Sequence, residues 1–392
     1  MLEWLAIPAA IGVAAFIPKK PMSDEKKIER IFENTNTCIK RGESTQYPKL
    51  KRKIEGDGYT TYIYTLPLGL DESDMEKVLP ALQDGLNKEV EIELDGIIKL
   101  DVYSTKLSNW NYKKELLRPN TWETPIGMNH KGELYHDFDK YPHMLMGGTT
   151  RFGKTVCLKG IFHTLLMNNP DDVEFYILDL KAGLEFYKYS FLPQVKAVAC
   201  DVFEAAEVLN GIVEDLKKDE VMFRNKGWTN IVDTPIRKRK FIIVDEGAEL
   251  SPKIVIGQGK KYAEFCQSAL SEISRIGGGI GLRLLYCTQY PTKEAVNMAV
   301  KMNIVTRLSF IVPEAIGSKV LLDEYGAEKL PAIPGRAIYK VEKKRIVQVP
   351  YIDDKMMFKM MEERKDELTN RKPVNDYRQA GNGENQTPTA HT

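Results

Sequence analysis

Hydrophobic positions repeat in two different ways along this chain. Up to about residue 120, short segments either alternate as strands do or repeat at helical spacing. Residues 25–38 predict a helix. Tyr59–Thr65 alternates and predicts a half-buried strand. Residues 74–86 place Met75, Val78, Leu79, Leu82 and Leu86 on one stripe, the mark of an amphipathic helix, with Pro80 positioned to kink it. Val90–Leu94 and Ile97–Tyr103 flank Asp95-Gly96, a pair that closes a β-hairpin. Together these predict a small α/β domain over residues 21–123, with no catalytic signature.

From 124 to 350 the pattern changes. Apolar runs of four to seven residues, bounded by turns, now alternate with helical stretches, as in a parallel sheet covered on both faces. Strands are expected at 143–146, 174–178, 196–199, 241–244, 282–287 and 304–310, then a hairpin at 336–341 and 345–349. A charged helix over 353–370 carries Met356, Met357, Met360 and Met361, either a packing stripe or a face for a partner. Residues 351–392 hold that helix and a tail, and the Gly/Asn/Gln/Thr-rich end over 381–392 is expected to be disordered. At the other terminus, residues 4–18 contain no charge and Lys19-Lys20 follow. As a helix this stretch would span roughly 22 Å, short of the ~30 Å hydrocarbon core. Residues 1–20 are read as a short membrane anchor leaving a cytoplasmic body, or else as a segment docked on protein.

Two motifs bring chemistry into this frame. Gly148-Thr149-Thr150-Arg151-Phe152-Gly153-Lys154-Thr155 fits the phosphate-binding P-loop, between an apolar strand and a helix. Glycines let the backbone approach an anion, and the N–H groups at the helix start face phosphate oxygens. All eight residues are candidates to bind ATP, with Lys154 on the β- and γ-phosphates and Thr155 on Mg²⁺. Ninety residues on, Phe241-Ile242-Ile243-Val244-Asp245-Glu246 is a buried strand ending in two carboxylates, the Walker B arrangement. Asp245 would hold Mg²⁺ and Glu246 would polarise the attacking water. The fold class that follows is α/β, a RecA-like P-loop NTPase core with a central, mostly parallel sheet, preceded by the small α/β domain.

Charge changes the picture little. Among 392 residues, 56 basic and 55 acidic side chains give a net charge of +1, so a nucleic-acid surface must be local. Arg237-Lys238-Arg239-Lys240 is read as a solvated loop or a DNA contact. Five scattered cysteines without a C-x-x-C pair read as reduced and mostly buried. His130, His136 and His143 lack metal-ligand spacing.

The motifs, in order, resemble the FtsK/SpoIIIE family of DNA-pumping ATPases over 124–350. Pro142 to Thr150 with Gly153-Lys154-Thr155 carries the first match, and Leu178-Asp179-Leu180-Lys181-Ala182-Gly183-Leu184-Glu185-Phe186 the second. Walker B, Thr288-Gln289-Tyr290-Pro291, Asn303 to Phe310 and Gly326-Ala327-Glu328-Lys329-Leu330-Pro331 complete the series. The D-L-K-x-G-L-E-F form looks most like versions carried by Gram-positive conjugative elements. This resemblance implies an ATP-driven translocase of DNA, single- or double-stranded, working as a homo-hexameric ring at a membrane in conjugation or segregation. A relaxase and type IV secretion-like membrane proteins are the implied partners. Gln289 would sense the γ-phosphate, and Ile256 to Lys261 would form a DNA-facing loop or a plain surface turn. The family's basic residue three positions before the glycine of the strand leading to T-Q is here Gly278. Arg275 and Arg307 therefore become the candidate arginine fingers. After Pro350 there is too little chain for the family's orientation-reading winged helix. The rival readings are a protein-export motor with a related core and a non-hydrolysing ring scaffold.

Overall fold

The computed structural model describes residues 22–370, and within them the chain divides after Ser108 into two compact units. The expected anchor at 1–20 and tail at 381–392 lie outside the described residues.

The first unit is a four-stranded antiparallel sheet with two helices. Helix α1 is Asp24–Asn34, followed by a small hairpin of β1, Ile39–Arg41, and β2, Ser44–Gln46. Strands β3, Leu50–Glu55, and β4, Tyr59–Thr65, precede α2, Glu72–Leu86. The hairpin of β5, Val90–Leu94, and β6, Ile97–Tyr103, completes the sheet in the order β3-β4-β6-β5. Helix α1 stops earlier than its sequence suggests because Asn36 turns left-handed, with φ 52°. Helix α2 starts at a capping box in which Asp71 accepts from the Asp74 N–H and Asp74 accepts from the Asp71 N–H. Its apolar stripe and that of α1 meet the sheet through Ile28, Phe32, Tyr64, Leu82 and Leu100.

The second unit begins before the motif region. Strand β7, Trp110–Asn111, pairs with β18, Pro350–Tyr351, and Tyr112, Leu116 and Trp122 are buried in its core. The sequence placed the domain boundary near residue 123, but these aromatic and aliphatic anchors tie 109–123 to the second unit. The unit's ten-stranded sheet uses β8, Glu123–Asn129; β9, Gly132–Asp137; β10, His143–Gly147; β11, Val173–Leu178; β12, Val195–Ala199; β13, Arg239–Val244; β14, Leu282–Thr288; β15, Thr306–Phe310; β16, Arg336–Lys340; and β17, Lys344–Gln348. The order is β12-β11-β13-β14-β10-β15-β16-β17-β8-β9. The first six run parallel and the last four are joined antiparallel.

Continuous apolar runs in the parallel half follow from burial on both faces. Phe241 and Ile243 point to one face, Ile242 and Val244 to the other. One face packs α3, Lys154–Asn168, and α8, Asp354–Asn370. The opposite face packs α4, Val202–Lys226, and α5, Gly259–Glu272, with the shorter α6, Met298–Met302, and α7, Ala315–Leu322. Each fully buried Leu, Ile or Phe contributes about 1.5–3 kcal/mol, so these two layers dominate stability. Met357 and Met360 are buried and Met356 and Met361 pack against the same cluster, so the methionines of α8 are a packing stripe. Helix α5 does not stop at Glu272. Its hydrogen bonding widens into a π turn over Ile273–Gly277 before the chain enters β14.

Candidate functional site

The P-loop and Walker B meet at the carboxyl ends of three adjacent parallel strands, where open α/β sheets bind ligands. Strand β10 feeds residues 148–153, and α3 starts at Lys154. The loop needs its glycines. Gly148 has φ +144°, and a Cβ there would lie 2.6 Å from Cβ of Phe310. Gly153 caps α3 at φ +107°, where a Cβ would lie 3.0 Å from the backbone nitrogen of Gly335. Arg151, also left-handed at φ 72°, and Thr150 are exposed, while Thr149, Phe152 and Thr155 are partly buried. The Gly148 N–H donates to the Thr288 carbonyl and the Thr149 N–H to that of Ile311, which fixes the entry to the loop.

Lys154 is 3% exposed and lies on Walker B: its Nζ donates to Asp245 Oδ1 at 2.8 Å and to the Asp245 carbonyl at 2.6 Å. Burial works against the ammonium, but Cys287 and Asp245 outweigh it and hold the lysine above its usual value. The other oxygen of Asp245, Oδ2, is buried with no hydrogen-bond partner. A buried carboxylate oxygen without a donor is costly unless a cation meets it. That oxygen, the cradle of glycines and the adjacent Thr155 fit Mg²⁺ and a nucleotide phosphate.

Glu246 is 2% exposed and its carboxylate is densely held. Thr288 Oγ1 donates to Oε1 at 2.7 Å, and the Gln289 N–H reaches Oε2 at 2.9 Å. Lys181 Nζ lies 3.2 Å from Oε2. So Gln289 enters the site through its backbone, at the end of β14, and it is partly buried. Lys181 belongs to the loop after β11, and the sequence reading gave it no role. The signal was the D-L-K stretch, which becomes chemical only once β11 and β13 are seen as neighbours. Asp179, fully buried, closes the base of that loop by accepting the N–H groups of Glu185 and Phe186 at 2.9 and 2.7 Å. Burial raises the carboxyl's pKa, opposed by those two N–H groups, with Asp245 adding to the rise.

The remaining expected residues are scattered. Arg307 is 6% exposed in β15, donating to the Lys301 carbonyl at 2.9 Å and facing Asp323 at 3.6 Å. Its other terminal nitrogen, Nη1, is buried without a hydrogen-bond partner among the described residues, and the side chain is held within its own subunit. Arg275 sits in the π turn, exposed and without an ion pair among the described residues. It borders an open polar cavity of about 540 Å³ with Glu264, Gln267, Glu272 and Asn297. Gly278, the position of the missing basic residue, has no room for one: a Cβ would lie 2.8 Å from Pro142 and 3.2 Å from His143.

The expected DNA loop is also redrawn. Gly259, Lys260 and Lys261 form the first turn of α5, and the irregular part ends at Gln258. Ile256, Lys260 and Lys261 are exposed. Arg237, Lys238, Arg239 and Lys240 each pair with a carboxylate, of Asp172, Glu174, Asp139 and Asp215 respectively. Arg239 is buried in β13, so neither a solvated loop nor a DNA contact describes it.

A model of the FtsK/SpoIIIE family matches residues 114–301. The DNA translocase FtsK of Streptococcus pyogenes serotype M3 (strain SSI-1) is 24% identical over 336 residues, an alignment covering 80% of this chain and 42% of that one. FtsK of Listeria monocytogenes serovar 1/2a (strain ATCC BAA-679 / EGD-e) is 27% identical over 236 residues, covering 55% and 31%. The chain thus spans about two fifths of the length of the first curated relatives it matches. Among solved structures, the pCW3 conjugation coupling protein TcpA, in a monomer form with ATPgS, matches with TM-score 0.63 and 22% identity. That match covers 87% of this chain and 99% of the other. The cytoplasmic domain of the Thermomonospora curvata type VII secretion ATPase EccC matches with TM-score 0.53 and 21% identity, covering 64% and 32%. These two likenesses establish the fold.

Proposed function

We propose, from the match of residues 114–301 to the FtsK/SpoIIIE family model, that the chain hydrolyses ATP to drive DNA through a ring of its own copies, in conjugative transfer or segregation. The observation that carries the chemistry is the junction of Lys154, Asp245 and Glu246 at the carboxyl ends of the central strands, with Asp245 Oδ2 buried and, among the described residues, unpartnered. The DNA substrate is inferred from the curated FtsK translocases.

In this reading residues 148–155 cradle the triphosphate, and Lys154 exchanges its bond to Asp245 for phosphate oxygens. Mg²⁺, held by Thr155 and Asp245, would neutralise charge on the β- and γ-phosphates. Glu246 accepts a hydrogen bond from the attacking water and orients it in line with the γ-phosphate. Thr288 and the Gln289 backbone keep its carboxylate at the end of β14, and the Gln289 side chain is the candidate γ-phosphate sensor. Arg275, exposed and without an ion pair among the described residues, is the residue we assign to the nucleotide of an adjoining subunit, where such an arginine contributes on the order of 10³–10⁵ in rate. A homo-hexamer, attachment to the cell membrane through residues 1–20, and a relaxase or secretion-like membrane protein as partner belong to the same proposal. Among the described residues no helix is long and apolar enough to cross a membrane.

The fold likeness to EccC keeps a polypeptide-export motor as the second reading. ATP hydrolysis by the purified full-length chain, with and without duplex and single-stranded DNA, separates the two. Stimulation by DNA supports the translocase. Hydrolysis indifferent to both forms of DNA would overturn it in favour of export, and absence of hydrolysis would leave only a scaffold.

A further inference from the structure

The Walker B glutamate is held by two kinds of donor. Thr288 Oγ1 and the Gln289 N–H belong to the end of a central strand and cannot leave without breaking the sheet edge. Lys181 is different. It reaches Glu246 Oε2 at 3.2 Å from a loop, and its side chain is 32% exposed where that of Glu246 is 2%. Oε1 accepts from Thr288 and Oε2 already accepts the Gln289 N–H, so Lys181 is the second donor on Oε2 and fills the remaining lone-pair position that a water would need.

The backbone beside Lys181 is also unusual. Ala182 has φ 59° and Gly183 φ 70°, two successive left-handed residues, and for an alanine that conformation is strained. Asp179 pins the loop on one side of this point through Glu185 and Phe186. Beyond it, Lys159 bridges Glu185 at 2.7 Å and Asp354 of α8 at 3.2 Å, and Tyr189 donates to Asp354 at 2.7 Å. The loop is therefore anchored at its base and far end, and between them the Gly183 N–H donates to the Asp179 carbonyl at 3.0 Å, while the Lys181 side chain is held at Glu246 by a partly solvated ion pair.

From this we propose that Lys181 is a latch on Glu246: a positioning residue that keeps the carboxylate from orienting water until the loop at Ala182-Gly183 relaxes and withdraws the ammonium. The inference rests on the reading of Glu246 as the water-orienting group. Its chemistry involves no bond change. One ion pair is exchanged for a hydrogen bond from water to Glu246 Oε2.

The test is steady-state hydrolysis by the full-length chain without DNA, reading kcat and KM separately. Lys181→Met removes the cation and keeps the stem. It is expected to raise DNA-free kcat at least threefold with KM for ATP unchanged, and to lower the fold-stimulation by DNA by a similar factor. Lys181→Arg restores a cation and should return kcat to near the parent value, which a merely structural lysine would not require. In a Glu246→Gln background Lys181→Met should change nothing, because there is no carboxylate to release. A fall in kcat in Lys181→Met, or a rise in KM with kcat unchanged, would mean that Lys181 contacts the nucleotide and would overturn the latch. An unchanged kcat would overturn it equally. Full activity of Glu246→Gln alone would instead remove the water-orienting role of Glu246, and absence of DNA stimulation in the parent would count against translocation while leaving the DNA-free comparison readable.

Discussion

Two charged corners sit at opposite ends of the same parallel strands. At the amino ends, Asp139 joins Arg239 and Arg283, which are 3% and 1% exposed. Arg239 gives Nε to Oδ1 at 2.8 Å and a second nitrogen to Oδ2 at 3.1 Å, and Arg283 reaches Oδ1 at 2.7 Å. Both carboxylate oxygens are engaged, and Arg239 spends a further nitrogen on three backbone carbonyls. At the carboxyl ends, Asp245 has one oxygen on Lys154 and the other on nothing. The partly buried carboxylate of Asp139 and the buried one of Asp245, at the two ends of these strands, thus differ in whether their hydrogen-bonding capacity is used up. Where it is, the cluster holds the fold. Where it is not, the leftover capacity marks a place for a ligand.

Acid should weaken the fold through three buried histidines, of which His143 lies at the first corner. His143, next to Arg283, has its pKa lowered to about 3 by burial with Arg283 adding to it. Burial likewise lowers His136 to about 3 and His163 to about 4. The native state keeps these rings neutral, while the unfolded chain takes up protons below about pH 6.5. Stability is therefore present above that pH and lost as pH falls toward the native values. Each ring gives about 1.4 kcal/mol per pH unit, and the three together about 4 kcal/mol per unit. Urea unfolding at pH 7, 6 and 5 checks this, and an equal midpoint at all three would refute it.

Asp139→Ala strands two buried guanidinium groups, and the expected loss of stability is about 3–5 kcal/mol. ATP turnover per folded molecule should hold, because Asp139 is at the wrong end of the strands to touch nucleotide. Lys154→Ala sharpens the contrast from the other side. Hydrolysis should fall at least about a hundredfold, roughly 2.7 kcal/mol of transition-state stabilisation. If Lys154→Ala keeps most of its turnover while Asp139→Ala loses it, the two corners have been assigned the wrong way round.

The carboxyl-end corner was legible in the sequence because its parts are short local patterns: a glycine loop before a helix, an apolar strand before two acids. The strands around it were legible because burial on both faces writes uninterrupted apolar runs, as in β11, β13 and β14. The β8–β9 hairpin was not. It carries Pro125 and Gly127 and mixes polar with apolar residues, and a Cβ on Gly127 would lie 2.6 Å from Val347, so its sequence serves a close contact. The amino-end corner was invisible for a related reason. Arg239 reads as part of a solvated loop or DNA contact, and Arg283 has no reading of its own, until Asp139, 100 and 144 residues away, is seen beside them. Lys181 was missed in the same way, since its partner Glu246 lies on the next strand.

The π turn separates counting from direction. An α-helix advances about 100° per residue, so position along the chain tells which way a side chain points. A π turn closes its hydrogen bond one residue later and absorbs that extra residue without lengthening the helix by a full turn. Across Ile273–Gly277, then, the phase set by α5 is not the phase in which the chain arrives at Gly281. Stepping three residues back from that glycine lands on Gly278, which is packed against Pro142 and His143. The guanidinium that faces outward here is carried by Arg275, inside the phase break. In the reading proposed above the displaced cation is a matter of register along the helix, and deletion of Ile273 or Ser274, just before Arg275, would swing that arginine through about 100° relative to α5.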